Sequence, residues 1–156
     1  MAASAPHTIK LRAVEPIRSE GAMKASEAIK PGMLVERHTD GTIKKHATAA
    51  APASPAFAAE ADIWGRTIDD AYLNGETVLY DTYRSGDWVY AFLSNGTGQD
   101  VGIGALLESA GNGLLRATTF GTGSAAAAAA KPIARALEAI DNDPGSAAVR
   151  IKVEIL

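Results

Sequence analysis

The sequence predicts a mainly β protein, a small barrel or sandwich, and three observations lead to that class. First, the chain closes on a run in which four aliphatic residues of 149–155 alternate strictly with charged ones. Second, two runs of β-forming residues, 76–83 and 87–94, flank a Gly-containing turn. Third, short apolar runs separated by turn residues recur over the 156 residues, which is typical of one β domain.

The first segment with a strand pattern begins eight residues into the chain. Ile9, Leu11 and Ala13 share one face of this segment, whereas Lys10 and Arg12 lie on the other. The alternation ends at Pro16, and the residues that follow show no clear period. The front of the chain is therefore either an edge strand or an arm that becomes ordered on a partner.

A β-hairpin is predicted over residues 30–46. The dipeptide Asp40-Gly41 separates two short apolar runs, and both residues tolerate the backbone conformations of a tight hairpin turn. A two-residue turn at this dipeptide places Glu36 opposite Lys45, a favourable cross-strand pair.

The middle of the chain predicts several short strands. The composition of residues 57–71 allows either helix or strand, and Gly65 with the β-branched residues near it favours two short strands with a bend. Residues 87–94 predict a strand that is apolar on both faces, with one face formed by Trp88, Tyr90 and Phe92 and the other by Val89, Ala91 and Leu93. Such a strand needs two layers of cover, one from the core and one from another layer or another subunit.

The second half of the chain is less regular. Glycine-rich spacing between residues 95 and 120 suits the corners and bulges of a small barrel. The six alanines of 125–130 are too few to hold an isolated helix, so a loop is predicted there. Residues 132–141 carry helical apolar spacing but lie between turn residues, so their pattern conflicts with their flanks.

Composition narrows the class of partner. Hydrophobic residues make up 47% and charged residues 21% of the chain, which is a globular composition, and there is no cysteine for disulfide or cysteine-based metal chemistry. The net charge of −3 argues against nucleic acid as the main partner. Residues 1–50 hold eight Lys/Arg and five Asp/Glu, a net of +3, which suits an acidic partner surface. No signal-peptide core or membrane-length apolar run is present, so we expect a soluble chain.

No motif in the sequence supports catalysis or a metal site. The histidines His7, His38 and His46 lack the spacing of a ligand pair, so no metal or other cofactor is expected. The adjacent carboxylates Asp69 and Asp70 point apart in a strand and cannot act across one substrate. There is no G-x-S-x-G elbow, and spacing alone supports no Ser–His pair. We therefore expect a protein that acts through its surfaces and is not an enzyme.

Five segments, taken in order, resemble the head decoration (capsid cement) proteins of tailed bacteriophages. They are KPGMLVERHTDGTIKKH, AFAAEADIWGRTIDDAYLNGETVLY, YRSGDWVYAFLSNG, VGIGALLESAGNGLL and PIARALEAIDNDPGSAAVRIKVEIL. The similarity spans roughly residues 28–156 and is a pattern of glycine turns and short strands rather than an active-site motif.

The resemblance implies a β-barrel-like domain over residues 29–156, preceded by an extended N-terminal arm over residues 1–28. It implies many copies on the outer surface of the virion capsid, reached from the host cytoplasm during assembly. It also implies that residues 132–140 form a strand. The expected partners are the major capsid protein and further copies of the chain in a dimer or trimer, with no nucleic acid and no membrane. The expected function is to stabilise the shell by clamping neighbouring major capsid proteins.

Two surfaces are candidates for these contacts. We expect the arm to add as a strand to an exposed sheet edge of the shell protein through Ile9, Lys10, Leu11, Arg12 and Val14. We expect the aromatic face of the two-sided strand to form a contact between subunits through Trp88, Tyr90 and Phe92. Pro31-Gly32 is expected to be the corner between arm and barrel.

Two other functions are less well supported by the sequence. A small ligand-binding or biotinyl-like accessory barrel is suggested by the paired glycines at 111–113, although that hairpin carries no lysine for a cofactor. A hydrolase that uses Asp69, Asp70 or Asp87 has no supporting spacing.

Overall fold

A computed structural model describes residues 5–12, 18–19, 23–118, 131–143 and 145–156. Its strands in chain order are β1 (Lys10–Arg12), β2 (Arg18–Ser19), β3 (Met23–Lys24), β4 (Val35–Arg37), β5 (Ile43–Lys45), β6 (Ala56–Ala58), β7 (Thr77–Val78), β8 (Tyr80–Thr82), β9 (Trp88–Leu93), β10 (Asp100–Val101), β11 (Leu106–Gly111), β12 (Leu114–Ala117), β13 (Ala134–Ala136), β14 (Ile140–Asp141) and β15 (Val149–Ile155). A short 3-10 helix covers Asp62–Trp64, and no α-helix lies in the described ranges. The prediction of a mainly β protein is confirmed. Within the same ranges, no helix has the length and apolarity to span a bilayer.

The largest sheet has six strands in the order β1-β9-β12-β11-β13-β15. β15 also pairs with β9, from Val149 opposite Leu93 to Glu154 opposite Trp88, so the sheet curls back on itself. β9 and β12, however, share a single parallel residue pair, Leu93 with Leu115. The sheet is therefore mixed and strongly curled, and it does not close into a barrel.

Side-chain alternation decides which face of this sheet is buried. Val89, Ala91 and Leu93 on β9 are fully buried in one apolar cluster with Ile151 and Val153 on β15. Burying an aliphatic side chain of this kind stabilises the fold by roughly 1.5–3 kcal/mol. The predicted alternation of both strands is confirmed, because each presents every second residue to the core.

A second apolar cluster packs between the smaller sheets, β2-β8-β6, β3-β7 and β4-β5. Its buried members are Ala25, Ile29, Val35, Ile43, Ala56, Ala58, Ala61, Tyr72, Val78 and Tyr80. Ala25 bridges to Ile43, and Ile29 bridges to Tyr72. Residues on either side of position 28 therefore pack in one cluster, and the division into an arm (1–28) and a domain (29–156) stays a prediction.

The 30–46 hairpin is present, but its register differs from the predicted one. Glu36 lies opposite Lys44, and the Lys44 Nζ atom is 3.1 Å from Glu36 Oε1. The turn contains residues 39–41, because His38 N–H donates to Thr42 O over 2.8 Å and closes the ladder there. Within the turn, Asp40 Oδ1 accepts a hydrogen bond of 2.9 Å from Thr42 N–H. The two-residue turn and the Glu36–Lys45 pair were wrong, since the side chain of Asp40 stabilises a turn one residue longer.

Residues 57–71 do not form two strands. β6 ends at Ala58, and the chain then enters the 3-10 helix, where Trp64 N–H donates to Ala61 O over 2.9 Å. Gly65 ends the helix in the left-handed region at φ 70°, which directs the chain away from an extended course.

The segment 132–140, expected as a strand, contains β13, and β14 follows over Ile140–Asp141. β13 pairs with both β11 and β15, so sheet pairing overrides the helical spacing of its apolar residues. The loop predicted over the alanine run 125–130 lies outside the described residues.

Candidate functional site

Of the predicted capsid-binding arm, residues 9–12 lie along β9 of the same chain. Tyr90 N–H donates to Ile9 O over 2.9 Å, and Ile9 N–H donates to Glu60 Oε2 over 3.1 Å. The Ile9 side chain is fully buried in the main apolar cluster, the one that contains Val89 and Ala91 of β9. In this structure the Ile9 side chain therefore contacts the chain's own core, and its contact with a capsid stays a prediction.

The other predicted arm residues differ in accessibility. Lys10 and Arg12 are exposed and Leu11 is half-buried, whereas Val14 lies outside the described residues. The Lys10 Nζ atom is 3.0 Å from Asp81 Oδ2, and the Arg12 guanidinium lies 5.1 Å from the centre of the Trp88 ring. Their contact with a capsid stays a prediction.

The backbone of Gly32, at the predicted corner, forms hydrogen bonds to both β6 and β9. Its N–H donates to Ala58 O over 2.8 Å, and its carbonyl accepts from Phe92 N–H over 3.1 Å. Its φ is +90°, and a Cβ atom there would lie 2.8 Å from Tyr90 O. Only glycine combines this backbone conformation with so close an approach.

The aromatic face of β9, predicted to be a subunit interface, is half-buried at Trp88, Tyr90 and Phe92. The Arg150 guanidinium lies 4.4 Å from the centre of the Phe92 ring, as Arg12 lies over Trp88. Residues of the same chain thus supply part of the second layer that the sequence required. The use of this face between subunits stays a prediction.

Three large apolar side chains in the 60–76 region are exposed, namely Ile63 (72%), Trp64 (54%) and Leu73 (61%). Trp64 shares a shallow cleft with Arg66 and Glu76, and Leu73 N–H donates to Glu76 Oε2 over 2.7 Å. We call the group Trp64, Arg66, Leu73 and Glu76 the Trp64 ledge. Sequence reasoning missed it because residues 57–71 were interpreted as strands. A tryptophan just before a glycine in a polar stretch was the available signal.

A Ser–His contact that sequence spacing did not predict joins β11 to the first hairpin. His46 Nδ1 lies 2.7 Å from Ser109 Oγ, and His46 Nε2 lies 3.7 Å from Glu36 Oε2. The series Ser109, His46 and Glu36 resembles the nucleophile, base and acid of a catalytic triad. Ser109 is fully buried, however, and its Oγ also accepts from Gly111 N–H over 3.1 Å. The Ser109 hydroxyl is thus enclosed in the protein, where its contact with His46 links β11 to the hairpin.

The residues of the two less favoured functions have structural partners. The Gly111–Gly113 turn packs against residues 33–34 and 45–49, so it does not project as a carrier hairpin would. Asp87 Oδ2 accepts from Arg84 N–H over 2.8 Å, and Asp69 Oδ1 lies 2.7 Å from Arg150 Nη1. Hydrogen bonds from Thr67 lower the pKa of Asp70, which disfavours a role as a proton donor.

Two further features bear on ligands. Among the described residues, no group of three or more His, Asp or Glu side chains is arranged to hold a metal ion. An open cleft of about 430 Å³ lies between the first strand and the 59–63 segment, and it is lined by Thr8, Lys10, Glu60, Asp62, Ile63 and Asp81, among others.

Comparison with known proteins gives a fold likeness. No protein-family model and no curated protein matches the sequence. The solved structure of the head fiber gp8.5 N base of bacteriophage phi29 is similar, with a TM-score of 0.55 over 90% of this chain and 95% of that chain. The two sequences are 12% identical, so the likeness establishes a shared fold.

Proposed function

We propose that this chain is a structural protein of a tailed-bacteriophage head. It binds the outer surface of the capsid and stabilises the shell by clamping neighbouring major capsid proteins. The observation that carries this proposal is the fold shared with the phi29 head fiber base, which extends over nearly the whole of both chains. The order of glycine turns and short strands, which resembles capsid decoration proteins, supports it from the sequence.

The proposal assigns the chain no catalytic chemistry and no cofactor, because clamping needs only surfaces. Exposed Lys10 and Arg12 on β1 are candidates for one contact with the shell protein, and the Trp88 face of β9 for a contact between copies. Contacts worth a few kcal/mol each become effectively permanent when several are made at once.

Co-sedimentation tests this function. The purified chain is mixed with heads of the phage that encodes it, from which other outer proteins have been stripped. Saturable binding at a fixed ratio to the major capsid protein, with a higher melting temperature of the heads, is expected. Absence of binding to these heads would refute the proposal.

A small ligand-binding domain is the second candidate, because the cleft beside β1 has a volume within the range of small-molecule sites. Its walls include Lys10 and Asp81, which already pair with each other. A stable closed oligomer in solution, together with no binding to heads, would favour this alternative.

A further inference from the structure

In the Trp64 ledge, the indole ring of Trp64 is exposed to solvent, although hydrogen bonds hold the backbone around it. The backbone N–H of Trp64 donates to Ala61 O, and the backbone N–H of Gly65 donates to Asp62 O. The ring nevertheless stays 54% exposed. Exposed apolar groups of this size often mark interaction surfaces, and tryptophan is the residue most enriched at binding hot spots.

Part of the ledge is held in place by hydrogen bonds. Arg66 binds Glu76 through two hydrogen bonds of 2.8 and 2.6 Å, and its guanidinium lies 5.9 Å from the ring centre of the buried Tyr72. The backbone N–H of Leu73 also donates a hydrogen bond to the Glu76 carboxylate. A partner would therefore meet an Arg66–Glu76 pair that is already formed, which lowers the entropy that these two side chains lose on binding.

The charge around the ledge specifies the kind of partner. Residues 60–76 contain five carboxylates and one arginine, a net charge of −4. Arg66 pairs with Glu76, and Arg150 pairs with Asp69, so the negative charge around the ledge comes mainly from the other three carboxylates, Glu60, Asp62 and Asp70. The pairing with Arg66 lowers the pKa of Glu76 to about 2, so this ion pair stays intact at neutral and mildly acidic pH. A complementary surface carries Lys or Arg around an apolar pocket.

A second copy of this chain fits that description poorly. Many of the chain's own cations already face a carboxylate or an aromatic ring of the same chain; these are Lys10, Arg12, Lys44, Lys45, Arg66, Arg116, Arg150 and Lys152. Copies with the same negative net charge also repel one another at low salt.

We infer that the Trp64 ledge is a docking surface for the shell protein, separate from β1, and that it takes an apolar pocket ringed by basic residues. This inference rests on the proposed function, because the partner it names is the capsid. It adds which surface binds and what chemistry the partner presents.

The test compares variants in binding to the same stripped heads. Trp64→Ala and Leu73→Ser are each expected to raise the Kd by about tenfold or more. The matched control is Ile103→Ala, because Ile103 is 75% exposed and lies outside the 60–76 region, and it should leave the Kd unchanged. Asp62→Lys should weaken binding more in about 0.05 M than in about 0.5 M salt, since salt screens exposed charges. Thermal melts check that each variant is folded.

The outcomes separate this inference from the proposed function. Wild-type binding with unchanged affinity in both Trp64→Ala and Leu73→Ser would overturn the ledge and leave the capsid role intact. Failure of the wild-type chain to bind would overturn both. Sedimentation of the free protein adds a third result: if Trp64→Ala dissolves an oligomer present in solution, the ledge binds a second copy and the inference is wrong.

Discussion

Replacing Ile9 with alanine tests whether the first strand belongs to the folded core or to a free arm. Ile9 is fully buried, and the change removes three carbon atoms from the main apolar cluster. At about 0.8 kcal/mol for each buried carbon, the transfer cost is about 2.4 kcal/mol. Incomplete collapse of the cavity adds to it, so the free energy of unfolding should fall by about 3 kcal/mol.

For a chain of this size, a loss of about 3 kcal/mol lowers the melting temperature by about 6–12 °C. Urea unfolding followed by tryptophan fluorescence and thermal melts followed by circular dichroism both measure the loss. The matched control is Leu11→Ala, which removes the same number of carbon atoms from a half-buried position on the same strand. It should cost about 1 kcal/mol or less.

Equal melting temperatures for Ile9→Ala and Leu11→Ala, both close to wild type, would refute this reasoning. That result would mean that the strand is undocked in the free protein. The segment would then be an arm that becomes ordered only on its partner.

The other predictions concern backbone space, a buried contact and alkaline pH. Gly32→Ala should lower the free energy of unfolding by about 2–5 kcal/mol, because the new methyl group meets a backbone oxygen. Gly41→Ala, where φ is also positive but space is open, should cost only about 1–2 kcal/mol; equal losses in urea unfolding would contradict the close approach. Ser109→Ala should cost about 1–3 kcal/mol by removing a buried partner of His46, and covalent labelling of wild-type Ser109 by a fluorophosphonate would instead indicate a hydrolase. Burial raises the pKa of Tyr72 from 10.0 to about 12. Its contribution to stability is therefore complete below pH 10 and is lost as the pH rises to about 12; melts of Tyr72→Phe should depend less on pH over that interval.

The sequence determined the strands whose evidence is local. The alternation in 149–155 and 87–94 identified β15 and β9 and the buried face of each, because a strand turns successive side chains to opposite faces whatever it pairs with. The Asp40-Gly41 dipeptide likewise located a hairpin. Its register was not predicted, because the turn is one residue longer than the dipeptide and is stabilised by a hydrogen bond that the Asp40 carboxylate accepts from Thr42 N–H.

The tertiary structure decided what each strand packs against. Alternation left the first strand as either an edge strand or an arm, and its pairing with β9 and the burial of Ile9 come from contacts with residues some eighty positions away. The contact of His46 with Ser109 joins residues 63 positions apart, and no spacing rule could have suggested it. The exposure of Trp64 likewise depends on which surfaces the rest of the chain leaves uncovered. Periodicity is a local property of the backbone, whereas burial and partnership depend on residues distant in sequence, and for this protein those distant contacts define the surfaces proposed to bind a capsid.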